Sequence, residues 1–153
     1  MLQVRAEWVS SNRSPGPAST LTRVQIEYTT SLDGVQPEHL GGFFEGWPNP
    51  PPPERHLKIL RGSYRICLAR EASSPEIVGF VNAISDCVLY AFIPLLEVLP
   101  AYRGRGIGSE LVTRVLGDLE DFYAVDLMCD PELQPFYERF GMHRATGMII
   151  RRR

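Results

Sequence analysis

Hydrophobic and polar residues follow two distinct patterns in the second half of this chain. Residues 88–99 form a nearly continuous apolar run in which Glu97 is the only charge, and such a run predicts a central strand buried on both faces. After a glycine-rich turn, apolar residues recur at helical spacing while polar residues fill the opposite face; the apolar set is Ile107, Leu111, Val112, Val115, Leu116 and Leu119. The pattern therefore predicts a strand, a glycine turn and an amphipathic helix.

Shorter elements are predicted on both sides of this unit. Residues 124–129 predict a second apolar strand, and residues 131–140 predict a helix that has proline in its first turn and ends at Gly141. Upstream, the pattern predicts a strand at 24–29, a short helix at 37–44, a helix at 54–61, and a hairpin of strands at 63–69 and 77–84. The prolines of residues 46–53 predict a stiff, extended linker.

Pro94 lies inside the long apolar strand. Proline has no N–H to donate to a sheet and is found at edges or bulges, so the strand must be interrupted there. A strand that parts from its neighbour and an ordinary β-bulge both fit this residue.

The glycine turn has the composition of an anion-binding loop. Arg103-Gly104-Arg105-Gly106-Ile107-Gly108 stands between the predicted strand and helix. Backbone N–H groups at the start of a helix lack partners within it and lie at the positive end of its dipole, so glycines there let a phosphate reach them. Arg103 and Arg105 would add positive charge. A tight turn with solvated arginines fits the same residues.

Other nucleotide-binding motifs fit this turn less well. A dinucleotide-binding unit has an acid about 20 residues further on, which Asp126 could supply, but it needs a third glycine where this chain has Ser109. The turn also comes too late in 153 residues to leave strands for a doubly wound sheet. A nucleotide P-loop needs Gly-Lys-Ser or Gly-Lys-Thr, which the chain lacks.

Two motifs in this order give the chain a resemblance to the GNAT superfamily of acyl-CoA N-acyltransferases. Arg103, Gly106 and Gly108 match the superfamily's signature of Arg or Gln, two residues, Gly, one residue, and Gly or Ala. The segment Phe136-Tyr137-Glu138-Arg139-Phe140-Gly141-Met142 is similar to the aromatic-Tyr-Glu segment near the end of such domains. The detailed resemblance covers residues 77–143.

The resemblance implies an α/β (α+β) fold whose mixed, mostly antiparallel central sheet splays between its fourth and fifth strands and is flanked by about four helices. It also implies acetyl-CoA as co-substrate, with the pantetheine arm paired to the main chain of Leu96 and Val98 and the diphosphate on the glycine loop. The coenzyme-binding set predicted in this way is Leu96, Val98, Arg103, Gly104, Arg105, Gly106, Ile107, Gly108, Ser109, Phe136 and Tyr137.

The chemistry implied is direct transfer of an acyl group from a thioester to an amine. An alkylamine near pH 7 is mostly protonated, so a carboxylate or a water chain must take a proton. Tyr137 matches the family tyrosine whose hydroxyl reaches the coenzyme sulfur, which makes it the candidate acid. Some relatives carry Glu or His where this chain has Phe92 and Pro94, so the candidate bases here are other carboxylates, Glu97 and Asp126. For each position taken alone, an ordinary surface or hydrogen-bonded carboxylate is the favoured interpretation.

Residues 43–47 join the first two predicted helices, where relatives place an acceptor-binding loop. Phe44 and Trp47 would supply aromatic walls, and Glu45 would supply one negative charge and a third candidate base. Core packing of the aromatic residues fits the same pattern. The hypothesis is an acetyl-CoA-dependent N-acetyltransferase acting on a primary amine of a small molecule or peptide. The alternative is a non-catalytic acyl-CoA-binding or regulatory domain that retains the anion-binding glycine loop and lacks a catalytic base.

The composition of the chain limits the classes of binding partner and the cellular compartment that we predict. Residues 21–153 suffice for a single domain, and residues 1–20 resemble a mobile tail. The net charge of −2 argues against nucleic acid, and neither a membrane-spanning stretch nor metal-ligand spacing of histidines is evident. The three cysteines predict reduced, packed thiols in a cytoplasmic protein. A homodimer is possible, since many relatives dimerise.

Overall fold

Five strands form one sheet in the order β1-β2-β3-β4-β5 in the computed structural model, which describes residues 24–150. The strands are β1 (Ile26–Thr29), β2 (Arg65–Glu71), β3 (Ile77–Ser85), β4 (Tyr90–Val98) and β5 (Ala124–Leu127). Neighbouring strands are antiparallel except β4 and β5, which are parallel. The predicted mixed, mostly antiparallel sheet is confirmed. The predicted tail at residues 1–20 lies outside the described residues.

Three α-helices flank the sheet within the described part of the chain, where about four helices were expected. They are α1 (Pro53–Arg61), α2 (Ile107–Gly117) and α3 (Gln134–Glu138), and short 3-10 turns lie at Pro37–Leu40, Pro100–Tyr102 and Pro131–Leu133. The helix predicted at 37–44 is wrong beyond Leu40, because the chain turns through positive φ at Gly42 (81°) and Phe44 (63°). The helix predicted at 131–140 is α-helical only over the five residues of α3.

Strands β4 and β5 pair over only four residues and then separate. The register runs from Tyr90 opposite Ala124 to Ile93 opposite Leu127. The next residue of β4 is Pro94, and the pairing of β4 with β3 is irregular across the same stretch, since Asn82 faces Leu95 while Ile84 faces Phe92. Pro94 therefore coincides both with a bulge and with the predicted splay.

The sheet separates two hydrophobic clusters. Helix α2 covers one face with Ile107, Leu111, Val112 and Val115, and Tyr137 of α3 joins the same cluster. Helix α1 covers the other face over the β2 and β3 half of the sheet. The β4 and β5 half of that second face is more open, as Ile84 and Tyr90 remain 47% and 42% exposed.

His56 of α1 is fully buried among three phenyl rings. Its imidazole lies 5.3 Å from Phe43, 4.9 Å from Phe44 and 4.3 Å from Phe80, measured between ring centroids. Burial lowers the pKa of His56 from 6.5 to about 4, and the Leu40 carbonyl opposes this shift to a smaller extent. The ring is therefore neutral at physiological pH and packs as an aromatic core residue.

The burial of His56 predicts a pH-dependent stability. Between pH 6.5 and about 4 the unfolded chain binds a proton at His56 that the folded chain excludes, so the free energy of unfolding falls as the pH falls through this window. At about 1.4 kcal/mol for each pKa unit, the loss contributed by this residue is about 3 kcal/mol. Urea unfolding of the wild type and of His56→Leu at pH 7 and pH 4.5 measures it.

The leucine variant should lose less stability than the wild type on acidification, because only the carboxylates then contribute. The exposed His143 provides the matched control, and His143→Leu should retain the wild-type dependence on pH. An identical pH dependence in His56→Leu and wild type would contradict the assignment.

Candidate active site

The glycine loop opens α2 with a left-handed turn. Gly104 and Gly106 have φ of 74° and 83°, and Gly106 is the N-cap residue, with no side-chain cap on the first amides of the helix. The first helical hydrogen bond runs from the Glu110 N–H to the Gly106 carbonyl at 3.1 Å, so the amides of Ile107, Gly108 and Ser109 precede it. A β-carbon built at Gly104 or Gly106 would meet no atom within 4 Å. The space beside Gly104 and Gly106 is therefore open, which leaves room for an anion near the start of the helix.

Both arginines of the loop donate to backbone carbonyls. The Nε of Arg103 lies 2.9 Å from the Val98 carbonyl, and an Nη of Arg105 lies 3.0 Å from the Ala101 carbonyl. Arg105 also stands over the ring of Tyr102, whose hydroxyl donates to Glu71 at 2.6 Å. These contacts brace the loop against β4 and β2, and the exposed Arg105 keeps its charge beside the glycines.

The end of β4 presents its main chain to the gap beside β5. The Leu99 N–H donates to the Val78 carbonyl of β3 at 2.9 Å. Hydrogen-bonded positions alternate along an antiparallel pair, so the backbone groups of Leu96 and Val98 face away from β3. Their neighbour on that side would be β5, which has already separated. The two residues predicted to pair with pantetheine therefore lie where the sheet is open.

Gly108 brings the loop, β4 and α3 into contact. A β-carbon at Gly108 would stand 3.8 Å from Val98 and 3.9 Å from the Phe136 ring. Phe136 in turn packs edge-on against Tyr137 with the ring centroids 4.9 Å apart. The predicted coenzyme-binding residues thus converge from three separate elements.

The Tyr137 hydroxyl is buried and has no hydrogen-bond partner among residues 24–150. The side chain is 3% exposed, and burial raises the pKa of Tyr137 well above its usual value, with Cys129 adding to the effect. A buried hydroxyl without a partner is costly to the fold. Tyr137 also lines a cleft of about 660 Å³ along β5, together with Asp126 and Phe92.

Two of the three candidate bases, Asp126 and Glu97, occupy different surroundings. Asp126 is exposed in the cleft and accepts a hydrogen bond from the Tyr90 hydroxyl. Glu97 is half-buried, and both of its carboxylate oxygens accept the Phe44 N–H, at 2.9 and 3.0 Å. Burial raises the pKa of Glu97, while the amides of the loop lower it. Glu97 therefore holds the backbone of residue 44 in its left-handed conformation.

The predicted acceptor loop divides into core and surface. Phe44 is 2% exposed and packs edge-on against Trp47, with the ring centroids 5.1 Å apart, so the packing interpretation holds for Phe44. Trp47 is half-buried and Glu45 is exposed. None of these three residues lines the cleft that contains Tyr137 and Asp126.

Two features were missed by sequence reasoning. Tyr90, the partner of Asp126, sits at the start of the apolar run, and only the parallel register of β4 and β5 brings the two side chains together. Cys87 was expected to be packed but is exposed, because it lies with positive φ in the turn between β3 and β4. The buried Cys67 fits the expectation, and burial raises its pKa to about 11.

Comparison with known proteins identifies the family. The model of the acetyltransferase (GNAT) family matches residues 32–142. The chain belongs to this family. Among curated relatives, it is 36% identical over 69 residues to an uncharacterised ycf52-like N-acetyltransferase of Prochlorococcus marinus and 37% identical over 71 residues to the chloroplastic GCN5-related N-acetyltransferase 3 of Arabidopsis thaliana. These matches cover 44% and 45% of this chain but 38% and 30% of the relatives.

Solved structures of GNAT acetyltransferases share the fold. A candidate acetyltransferase of Deinococcus radiodurans R1 is 54% identical, with a TM-score of 0.80, over 83% of this chain and 88% of that one. A GNAT family acetyltransferase of Streptococcus pneumoniae TIGR4 is 29% identical, with a TM-score of 0.66, over 85% and 98% of the two chains. The aminoglycoside N-acetyltransferase AAC(6')-Iy, solved with CoA, is 19% identical over 85% and 95%, with a TM-score of 0.62, and shares the fold.

Residues 24–150 contain no helix long and apolar enough to cross a membrane. Within the same range, no group of three or more His, Cys, Asp or Glu residues is arranged to hold a metal ion.

The contact between Glu97 and Phe44 predicts a graded loss of stability on substitution. Glu97→Ala leaves the Phe44 N–H without its acceptor and should lower the free energy of unfolding by about 1–3 kcal/mol. Glu97→Gln should cost less, because an amide oxygen still accepts. Urea unfolding gives the energies, and hydrogen exchange of the Phe44 amide should quicken in the alanine variant. The exposed neighbour variant Glu45→Gln should change neither quantity; equal effects of the glutamine variants at 45 and 97 would disprove the contact's role.

Proposed function

We propose that this chain is an acetyl-CoA-dependent N-acetyltransferase of the cytoplasm that acetylates a primary amine of a small molecule or peptide by direct attack. The observation that carries the proposal is the open start of α2 beside the gap between β4 and β5. Unpartnered helix amides suit a diphosphate, and a separated strand edge suits an extended pantetheine arm. Family membership supports acetyl transfer, and Tyr137 packs against Phe136, whose ring lies beside Gly108 of the loop.

The coenzyme would be held from its diphosphate to its thioester by residues already close together. The amides of residues 104–109 would take the diphosphate, with the charge of Arg105 beside them. The main chain of Leu96 and Val98 would pair with the pantetheine arm, and Phe136 would pack beside it. The bound coenzyme supplies an acetyl thioester, which is the activated acyl group.

The chain's own residues account for the proton transfers. A carboxylate takes a proton from the ammonium form of the acceptor, and the freed electron pair forms the N–C bond. The Leu96 N–H, facing the gap, stabilises the charge that develops on the carbonyl oxygen. As the C–S bond breaks, its electron pair goes to sulfur, and Tyr137 donates a proton to it. Because burial raises the pKa of Tyr137, its hydroxyl stays protonated until the thiolate forms. After it has donated its proton to the sulfur, the tyrosine oxygen takes up a proton from the nitrogen of the new amide.

Asp126 is better placed than Glu97 to act as the base. It is exposed in the cleft that Tyr137 also lines, whereas both oxygens of Glu97 are engaged by the Phe44 amide. Of the acceptor-loop residues, Glu45 and Trp47 offer surface to a substrate, and Phe44 supports them from the core. Homodimer formation stays a prediction.

A non-catalytic acyl-CoA-binding domain is the second candidate. Phe92 and Pro94 favour it, because neither can accept a proton at positions where some relatives carry a base. Such a domain would bind acetyl-CoA and release no thiol with any amine. Turnover that depends on Tyr137 would exclude it.

The proposed diphosphate site at residues 104–109 predicts that Gly106→Glu abolishes acetyl-CoA binding. The new carboxylate would occupy the open space in front of the helix amides and repel the diphosphate, and its backbone would be strained at φ 83°. Isothermal titration of the wild type should show binding, and the variant should bind at least 100-fold more weakly. Gly117→Glu, the same change at the other end of α2, should bind as the wild type does. No binding to the wild type at millimolar acetyl-CoA would end the enzyme proposal.

The role of Tyr137 predicts a selective loss of turnover. Tyr137→Phe removes a hydroxyl that has no hydrogen-bond partner in the described part of the chain, so stability should be unchanged or slightly higher. We expect kcat to fall about 100- to 10,000-fold, a typical range for a lost proton donor, with the Kd for acetyl-CoA nearly constant. Thiol release with an amine panel and titration with acetyl-CoA give the two quantities. Tyr123→Phe, at an 85% exposed position, is the matched control; equal kcat in the two variants would remove Tyr137 from the chemistry.

A further inference from the structure

Three side chains form an uncovered acidic and aromatic surface beside the point where β4 and β5 separate. Tyr90 and Phe92 are two residues apart on β4, and Asp126 stands opposite Phe92 in the parallel register, so all three lie on one face of the sheet. The next pair, Ile93 and Leu127, is the last before the strands part. Any group bound on this surface would therefore be adjacent to the gap proposed for the thioester.

This surface is open to solvent. Tyr90 is 42% exposed, Asp126 is exposed and Phe92 is half-buried. Ile84, which pairs with Phe92 from β3, is 47% exposed. Helix α1 covers the opposite half of the same face, where Phe80 and Leu68 pack against Leu57 and Leu60. The polypeptide between residues 24 and 150 thus leaves this half of the face free for a substrate.

The negative charge of Asp126 is oriented but not neutralised. Its described partner is the Tyr90 hydroxyl, which donates a hydrogen bond and carries no charge at neutral pH. No ion pair within residues 24–150 involves Asp126. Arg144 lines the same cleft, but its Nε is held by Glu138 at 2.5 Å. An aspartate fixed by a neutral donor beside two aromatic rings matches the requirements of an ammonium ion, which seeks a carboxylate and the faces of π-systems.

We propose that Asp126, Tyr90 and Phe92 form the acceptor site, and that this site selects primary ammonium compounds whose nitrogen is carried on an apolar or aromatic arm. The proposal rests on the proposed function, since it names the acceptor of that reaction. Asp126 binds the ammonium group, Tyr90 keeps the carboxylate turned toward the gap, and Phe92 contacts the arm. Asp126 and Tyr137 both line the cleft along β5, but Tyr137 belongs to the cluster on the α2 face, so a nitrogen bound at Asp126 would reach the thioester through the gap between β4 and β5. A carboxylate beside the amine, as in a free α-amino acid, would be repelled by Asp126.

The charge preference is tested with isosteric probes on the protein saturated with CoA. Phenethylammonium, the neutral 2-phenylethanol and the anion 3-phenylpropionate differ mainly in the charge of one end. Chemical-shift changes at the Tyr90, Phe92 and Asp126 amides report binding, and only phenethylammonium should cause them. Equal binding of all three probes, or changes confined to other residues, would overturn the proposal.

Variants then separate the acceptor site from the coenzyme site. Asp126→Asn should weaken phenethylammonium binding at least 10-fold, and Tyr90→Phe about 3-fold, because the carboxylate remains but is no longer held. In thiol-release assays, KM for phenethylamine should rise in both variants. The Kd for acetyl-CoA should stay at the wild-type value, which also shows that the variants fold. Asp33→Asn, the same charge change at an exposed loop position, is the control and should leave all values unchanged.

The possible failures are distinct. If the wild type does not bind acetyl-CoA, the proposed function fails. If acetyl-CoA binds normally while Asp126→Asn keeps the wild-type affinity and KM for the amine, the acceptor site lies elsewhere and this inference alone is wrong.

Discussion

The separation of β4 from β5 after the Ile93–Leu127 pair is the constraint on which the rest of this structure depends. Buried backbone groups need partners, and in a continuous sheet the neighbouring strand supplies them. Pro94 cannot donate to either neighbour, and the irregular pairing around it lets β4 continue beside β3 alone. The backbone of Leu96 and Val98 is then left facing a gap. Arg103 supplies a partner for the Val98 carbonyl, and the other groups remain available to an extended ligand.

Consecutive residues at the end of β4 fix the positions of two separate loops. Glu97 holds the backbone of Phe44, and Val98 accepts the hydrogen bond of Arg103 in the glycine loop. The side chain of Glu97 contacts one loop and the carbonyl of Val98 contacts the other, so one short segment positions both the loop at residues 43–47 and the glycine loop. Arg103 also lowers the pKa of Glu97, which ties the two contacts electrostatically. A displacement of this segment would therefore disturb both sides of the site at once.

The parts of the site that depend on local chain order could be predicted from the sequence. The glycine turn and the start of α2 follow from residues 103–108, because turn, cap and helix are set by neighbouring residues. Tyr137 could be placed by a motif. The contact of Glu97 with Phe44 spans 53 residues, and no periodicity encodes such a separation. The burial of His56 among three phenyl rings likewise depends on how α1 packs on the sheet.

The two carboxylates that looked equivalent in the sequence are separated by their partners. A charge inside an apolar strand must be hydrogen-bonded, and the Glu97 carboxylate accepts the N–H of Phe44, a residue with positive φ. Its negative charge therefore stabilises the loop conformation. Asp126 lies on the short strand β5, is exposed, and has a neutral hydroxyl as its partner. A lysine or arginine in place of Tyr90 would fix the carboxylate equally well but cancel its charge. Tyrosine fixes the position and leaves the charge, which is the combination that a site for a cationic acceptor needs.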